Sequence, residues 1–169
     1  MNQVSHAPTG YLCPFCALLS GQASEEVWSV PEDIVYQNEV VTALMAAGGP
    51  RLNPGHVLVI PNAHYENLYE LPEREGAAIF RLSRAVARAM KAITDCSGVS
   101  TAQHNEPDGN QDVWHLHLHI FARFSGDALY DRAEIVRSTP AERRPYAQAL
   151  RQYLEAHPET FQDSERTIL

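Results

Sequence analysis

The sequence predicts an α+β fold: an antiparallel sheet of about five strands, one long helix packed on it, and a C-terminal helical extension. Three observations predict it. Two β-branched apolar runs, 33–37 and 40–46, flank Asn38-Glu39 as in a hairpin. Residues 72–94 keep a helical period of apolar side chains. Residues 113–121 alternate large apolar residues with histidines, the period of a strand.

The elements follow in chain order. Residues 1–10 read as a flexible, polar N-terminus. Tyr11-Leu12-Cys13-Pro14-Phe15-Cys16 opens a short apolar run that stops at Ser20-Gly21, and a turn over 22–31 closes at Pro31. After the hairpin, Gly48-Gly49-Pro50 and Pro54-Gly55 bracket a loop expected to hold no regular structure. Residues 56–60 form a short apolar strand ended by Pro61-Asn62. Pro72 suits a first helical turn, and Glu73 and Glu75 sit where the helix dipole favours acids. Ala78, Leu82, Ala85, Ala89 and Ile93 give that helix its apolar side, and Ser97-Gly98 follow its end. Residues 99–103 read as a strand, 106–110 as a turn and 125–132 as a loop. Residues 140–156 form an amphipathic helix with Tyr146, Leu150, Tyr153 and Leu154 on its apolar side. The tail after Pro158 is polar and expected to fray.

At 169 residues and 18.8 kDa the chain fits one domain, and its 44% hydrophobic content can bury a core without staples. A formal net charge of −8 disfavours nucleic acid and anionic membranes, which need a basic surface. It leaves room for a small phosphorylated ligand held by local donors. Three cysteines are too few for a disulfide scaffold. No segment has the order of a signal peptide or the length of a membrane span, so a soluble, cytoplasmic protein is expected.

His115-Leu116-His117-Leu118-His119 is the most informative segment. Strand geometry sends the three imidazoles to one face and the leucines to the other. The apolar face packs on the helix. For the imidazoles three readings stand: coincidence in a chain with 8 histidines, a metal site, or phosphoryl or nucleotidyl transfer with one imidazole as nucleophile. Cys13-Pro14-Phe15-Cys16 also has three: a redox pair, two core cysteines, or half of a structural zinc site.

The run from His104 to Arg123 resembles the histidine triad (HIT) family, whose signature is His-φ-His-φ-His-φ-φ after an upstream Gln, with φ apolar. Pro54-Gly55-His56-Val57-Leu58-Val59-Ile60-Pro61-Asn62-Ala63-His64 is similar to the family's second hallmark. The resemblance covers about residues 12–123, within a HIT-like domain expected over 11–125. Residues 126–169 would form a helical extension and tail. It implies a nucleotide hydrolase or transferase. His117 would attack the α-phosphate, and His119 would donate to phosphate oxygens or protonate the leaving group. His115 would orient its neighbours, and His56 would pack at the active end and help orient the nucleophile. Gln111, with His104 or Asn105, would contact phosphate. Some members carry zinc on an N-terminal Cys-x-x-Cys, the His ending the second hallmark and the first triad His. By position these are Cys13, Cys16, His64 and His115. The resemblance also implies a homodimer.

The sequence departs from the family in three places. His104 stands where an amide is common, with Asn105 beside it. Asp112 replaces a frequent Ser or Thr, and an acid beside a phosphate is repulsive unless it points elsewhere, to buttress a histidine. The ribose-binding Asp or Asn is missing from 46–50. The leading expectation is hydrolysis or transfer at the α-phosphate of a purine nucleotide conjugate, such as a dinucleoside polyphosphate or a nucleoside phosphoramidate. The rivals are a nucleotide-binding regulatory module with little turnover and a plain zinc protein using the triad itself as ligands. Cys96 reads as a small buried residue.

Overall fold

A computed structural model describes residues 5–22, 28–51, 53–127, 129–130 and 135–161. Its elements are α1 (Pro14–Leu19), β1 (Ile34–Gln37), β2 (Val41–Met45), β3 (Gly48–Pro50), β4 (Val57–Pro61), α2 (Glu73–Ile93), β5 (Gly98–Gln103), β6 (Leu118–Arg123), β7 (Ile135–Arg137) and α3 (Pro140–Ala156). Five strands make one antiparallel sheet in the order β1-β2-β4-β6-β5, and β3 pairs with β7 in a separate two-stranded sheet. The α+β architecture is the expected one. No helix of the described residues is long and apolar enough to cross a membrane.

Helix α2 starts one residue later than expected. Pro72 is its N-cap, with extended backbone, so the fixed proline φ precedes the first turn rather than entering it. Its buried side is Ile79, Leu82, Ala85, Val86, Ala89 and Met90, packed over Leu116, Leu118 and Ile120 and over Val57 and Val59 of β4. A fully buried aliphatic side chain contributes about 2 kcal/mol, so this layer anchors β6 firmly. Ala147, Leu150 and Leu154 of α3 join the same core. Arg143 of α3, 3% exposed, forks onto Asp33, 2% exposed, at 2.7 and 2.8 Å, which ties the C-terminal helix to the start of β1. Cys96 is buried in this core, as expected.

The opposite face of the sheet carries a smaller cluster: Phe15 and Leu18 of α1 on Leu44, Ala46, Leu58 and Ile60. This cluster and the histidine row share one side.

Four local expectations fail, each because a distant partner overrides local pattern. Gly48–Pro50 is a strand, not a structureless loop, because β7 pairs with it: Gly48 faces Arg137 and Gly49 faces Val136. The expected strand 113–121 begins only at Leu118, where β6 meets Val59 of β4. Ahead of it, Leu116 N–H donates to Tyr65 O at 2.6 Å instead of to a ladder neighbour. Residues 158–161 do not fray but form a 3-10 turn, and Phe161 stacks on Tyr36 at 4.7 Å. The rest of the tail, 162–169, lies outside the described residues. At the N-terminus, His6 N–H donates to Glu66 Oε1 at 2.7 Å, and the His6 ring stacks on Trp114. Residues 1–4, and 23–27 of the expected turn, lie outside the described residues.

Candidate functional site

The site is built at the junction of β4 and β6, where Leu58 pairs with His119. His115, His117 and His119 share the face away from α2 and Leu116, Leu118 and Ile120 the other, as the alternation requires. The histidine row survives although only His119 lies in the regular strand.

Each imidazole of the row has one ring nitrogen committed to a different partner. His115 is fully buried, and its Nε2–H donates to Pro61 O at 3.0 Å, which leaves Nδ1 as a lone pair. His117, 2% exposed, donates Nδ1–H to His115 O at 2.8 Å, which leaves Nε2 as a lone pair. His119 donates Nδ1–H to His56 Nε2 at 3.0 Å, and His56 in turn donates Nδ1–H to Gly48 O at 3.1 Å. Two backbone carbonyls and one imidazole therefore set three tautomers. Burial holds all these rings neutral. It pushes His119 down to about 2, His56 to about 3 and His115 to about 4, and it lowers His117 too, against the opposing pull of the His115 carbonyl and the Asp112 charge.

Cys13 and Cys16 converge on His64 and His115. Cys13 caps α1, its Sγ accepting from Cys16 N–H at 3.4 Å, so the Cys-x-x-Cys spacing is one helical turn and both sulfurs face the same way. Cys13 Sγ lies 3.3 Å from His115 Nδ1, and Cys16 Sγ lies 3.4 Å from His64 Nδ1 and 3.6 Å from His115 Nδ1. All four ligand atoms lie within 4.8 Å of one another. The sulfur–nitrogen edge of a zinc tetrahedron, with bonds of about 2.3 and 2.0 Å, is about 3.5 Å, so this donor set fits a tetrahedral cation. Burial and the neighbouring Cys13 push the Cys16 thiol up to about 12, a shift that a bound cation reverses. Among the described residues this is the only such quartet, and neither His117 nor His119 belongs to it. The redox reading requires a strand ahead of α1, and none precedes it among the described residues.

The remaining expected residues separate. His104 faces the row: its ring meets His119 edge-on at 5.3 Å, and its Nδ1–H donates to Gly109 O at 2.8 Å. Asn105 turns away, its Oδ1 accepting from Leu68 N–H at 2.8 Å and its Nδ2 donating to Gln103. Gln111, expected at the phosphate, spends its amide on the backbone. Its Nε2 donates to Glu66 O and Val113 O, and its Oε1 accepts from Glu106 N–H. That bond holds Glu106 at φ 63, a costly angle for a side-chain-bearing residue. His56 bonds to and stacks on His119. Asp112, for which repulsion of phosphate and support of a histidine were the two readings, places Oδ1 3.7 Å from His117 Nε2.

Two contributors carry no local sequence signal. Phe15 sets its ring edge-on against His115 and His117 at 5.6 and 5.5 Å. Gly49 lies against His56: a Cβ there would sit 2.8 Å from His56 Nδ1, so any other residue forces that ring to shift. A cleft of about 400 Å³ opens beside His56, bounded by β3, the Pro54-Gly55 turn, β7 and the start of α3.

The HIT domain family model matches residues 28–126. Protein hit of Bacillus subtilis is 31% identical over 118 residues, 69% of this chain and 75% of that one. A bis(5'-adenosyl)-triphosphatase of Saccharomyces cerevisiae is 29% identical over 110 residues, 62% of this chain and 52% of that longer protein. A zinc-bound histidine triad family protein from Mycobacterium smegmatis superposes with a TM-score of 0.68 at 26% identity, over 87% of this chain and 96% of its own. With the histidine row, its neutral tautomers and a matching family model over more than half its length, this chain belongs to the HIT family.

Proposed function

We propose that this protein is a nucleotide hydrolase or nucleotidyl transferase acting at the α-phosphate of a purine nucleotide conjugate, a dinucleoside polyphosphate or a nucleoside phosphoramidate. The observation that carries the reading is the His117 tautomer. Its proton is fixed on Nδ1 by the His115 carbonyl, and the Nε2 lone pair is neutral, ready to attack phosphorus. In the first step the His117 Nε2–P bond forms as the bond from phosphorus to the leaving group breaks. A phosphate leaving group departs without a proton. The amine of a phosphoramidate must take one from solvent as the P–N bond breaks, because His119 Nε2 carries no proton in this tautomer and cannot give the one expected of it. In the second step water attacks, the P–Nε2 bond breaks, and the nucleoside monophosphate leaves. His119, whose Nε2 is unprotonated in this tautomer, takes the proton of that water. The relative named as a bis(5'-adenosyl)-triphosphatase supports the substrate class.

Cys13, Cys16, His64 and His115 would hold zinc, supported by the zinc-bound relative. A bound zinc would supply structural closure and no open ligand position. His104 is the phosphate contact of the pair, since Asn105 is consumed elsewhere. The cleft beside His56, lined by β3, β7 and the start of α3, is where the nucleoside is chosen. We assign the protein to the cytoplasm, without nucleic acid or membrane partners, as a homodimer that covers the open β5 edge. A mass near twice 18.8 kDa by light scattering checks the dimer, and a monomer at tens of micromolar counts against it.

The test is chemical. Wild-type protein quenched in alkali during turnover of a diadenosine polyphosphate should carry a nucleotidyl adduct. His117→Ala should lose adduct and turnover and keep nucleotide affinity within about tenfold. Retained turnover in His117→Ala sinks the nucleophile, and absence of turnover in both proteins leaves the binding module.

A further inference from the structure

Asp112 sets its carboxylate against the lone pair proposed to attack phosphorus. Its Oδ1 is 3.7 Å from His117 Nε2, and its side chain is 83% exposed while that of His117 is 2% exposed. It stands just after the turn that Gln111 clamps, so its backbone is fixed while its side chain reaches into solvent at the mouth of the site. Any phosphorus attacked by Nε2 must come within about 3–3.5 Å of that atom, which brings the phosphate oxygens against the carboxylate. The rings packed on His117 are Phe15 and His119, and neither is a fixed cation. A carboxylate here can only repel a phosphate, where the hydroxyl common in the resembled family would donate to one.

The repulsion acts unequally on substrate and product. A diester or phosphoramidate α-phosphate carries one negative charge at neutral pH. The monoester left after hydrolysis carries nearly two, because its second pKa is about 6. The extra charge appears only when the P–Nε2 bond is hydrolysed. We infer that Asp112 is a specificity-determining residue that admits a singly charged α-phosphate and rejects the doubly charged monoester, so that product is expelled as it forms. The inference rests on the proposed reaction at His117. For one extra charge about 4 Å away in watery surroundings the discrimination is about fivefold in affinity.

Titration calorimetry at pH 7.5 tests it with two ligands, adenosine 5'-monophosphate and its methyl diester, whose methoxide is a poor leaving group. The quantity read is the ratio of monoester Kd to diester Kd. Asp112→Asn should lower that ratio about fivefold, chiefly by tightening the monoester, and Asp112→Glu should keep it. A ratio unchanged in Asp112→Asn overturns the inference and leaves the proposed reaction standing. If neither ligand binds either protein, the proposed reaction fails and the inference with it.

Discussion

The two ends of the histidine row have the same residue at the same spacing and opposite surroundings. His115 turns Nε2–H to the Pro61 carbonyl and offers Nδ1 to two sulfurs. His119, two places beyond His117, gives Nδ1–H to His56 and leaves Nε2 as a lone pair. Strand period puts both rings on one face. It does not say which nitrogen is available or to what. That choice is made by the partner that takes the proton, a carbonyl of β4 at one end and a second imidazole at the other. One end is thereby fitted to hold a cation and the other to accept a proton, with His117 between them.

The largest way to separate the two ends is to remove the cation. Purified protein should contain about one zinc per chain, and Cys13→Ser should lower that content sharply. Structural zinc contributes many kcal/mol, so loss of one ligand should lower the melting temperature by about 10 °C or more. Activity should fall only partly, because the His119 end does not touch the quartet. Metal analysis and thermal melting of Cys13→Ser check this. Zinc unchanged in Cys13→Ser but lost in His119→Ala would make the triad itself the metal site and merge the two ends.

Gly49→Ala acts on the other end alone. The added Cβ would lie 2.8 Å from His56 Nδ1, so the ring must shift and its bond to His119 with it. Overpacking of this kind costs about 1–3 kcal/mol. Zinc content should stay at the wild-type value while kcat falls more than KM rises. NMR of the His119 ring nitrogens should show the single tautomer replaced by a mixture. A wild-type tautomer and kcat in Gly49→Ala would mean that the Gly48–His56–His119 chain does not position His119.

The legibility of the two ends differs for the same reason. The quartet could be named from sequence because the family resemblance carries its ligands by position onto three short segments: Cys13 to Cys16, the end of the second hallmark at His64, and the first triad histidine, His115. The α2 layer and the β1–β2 hairpin were legible because their period is local. The His56 end was not. Its carbonyl comes from Gly48, and that strand exists only because residues 135–137 return to pair with it. Gln111 is the opposite case: its type suits phosphate, and nothing local shows that the backbone of Glu66 and Glu106 takes its amide. Asp112 could be flagged as a departure, and only its side-chain direction made it informative.

The smallest effect is a slope with pH. His56 is neutral in the fold, pushed down to about 3 chiefly by burial, and titrates near 6.5 when unfolded. Between those values the unfolded chain binds a proton that the fold refuses. Its contribution to stability is therefore complete above about 6.5 and is lost progressively as pH falls toward about 3, at up to about 1.4 kcal/mol per pH unit. Acid also releases a cation from thiolates and imidazoles, so the wild-type slope mixes both ends. His56→Gln separates them, because a Gln amide can donate to the Gly48 carbonyl and accept from His119 without titrating. Urea unfolding at several pH values between 7.5 and 4.5 should give a flatter acid limb for His56→Gln than for wild type, with zinc content equal at each pH. Parallel limbs would leave the acid sensitivity to the quartet and to the other buried imidazoles, His117 and His119, and would mean that burial of His56 contributes nothing to it.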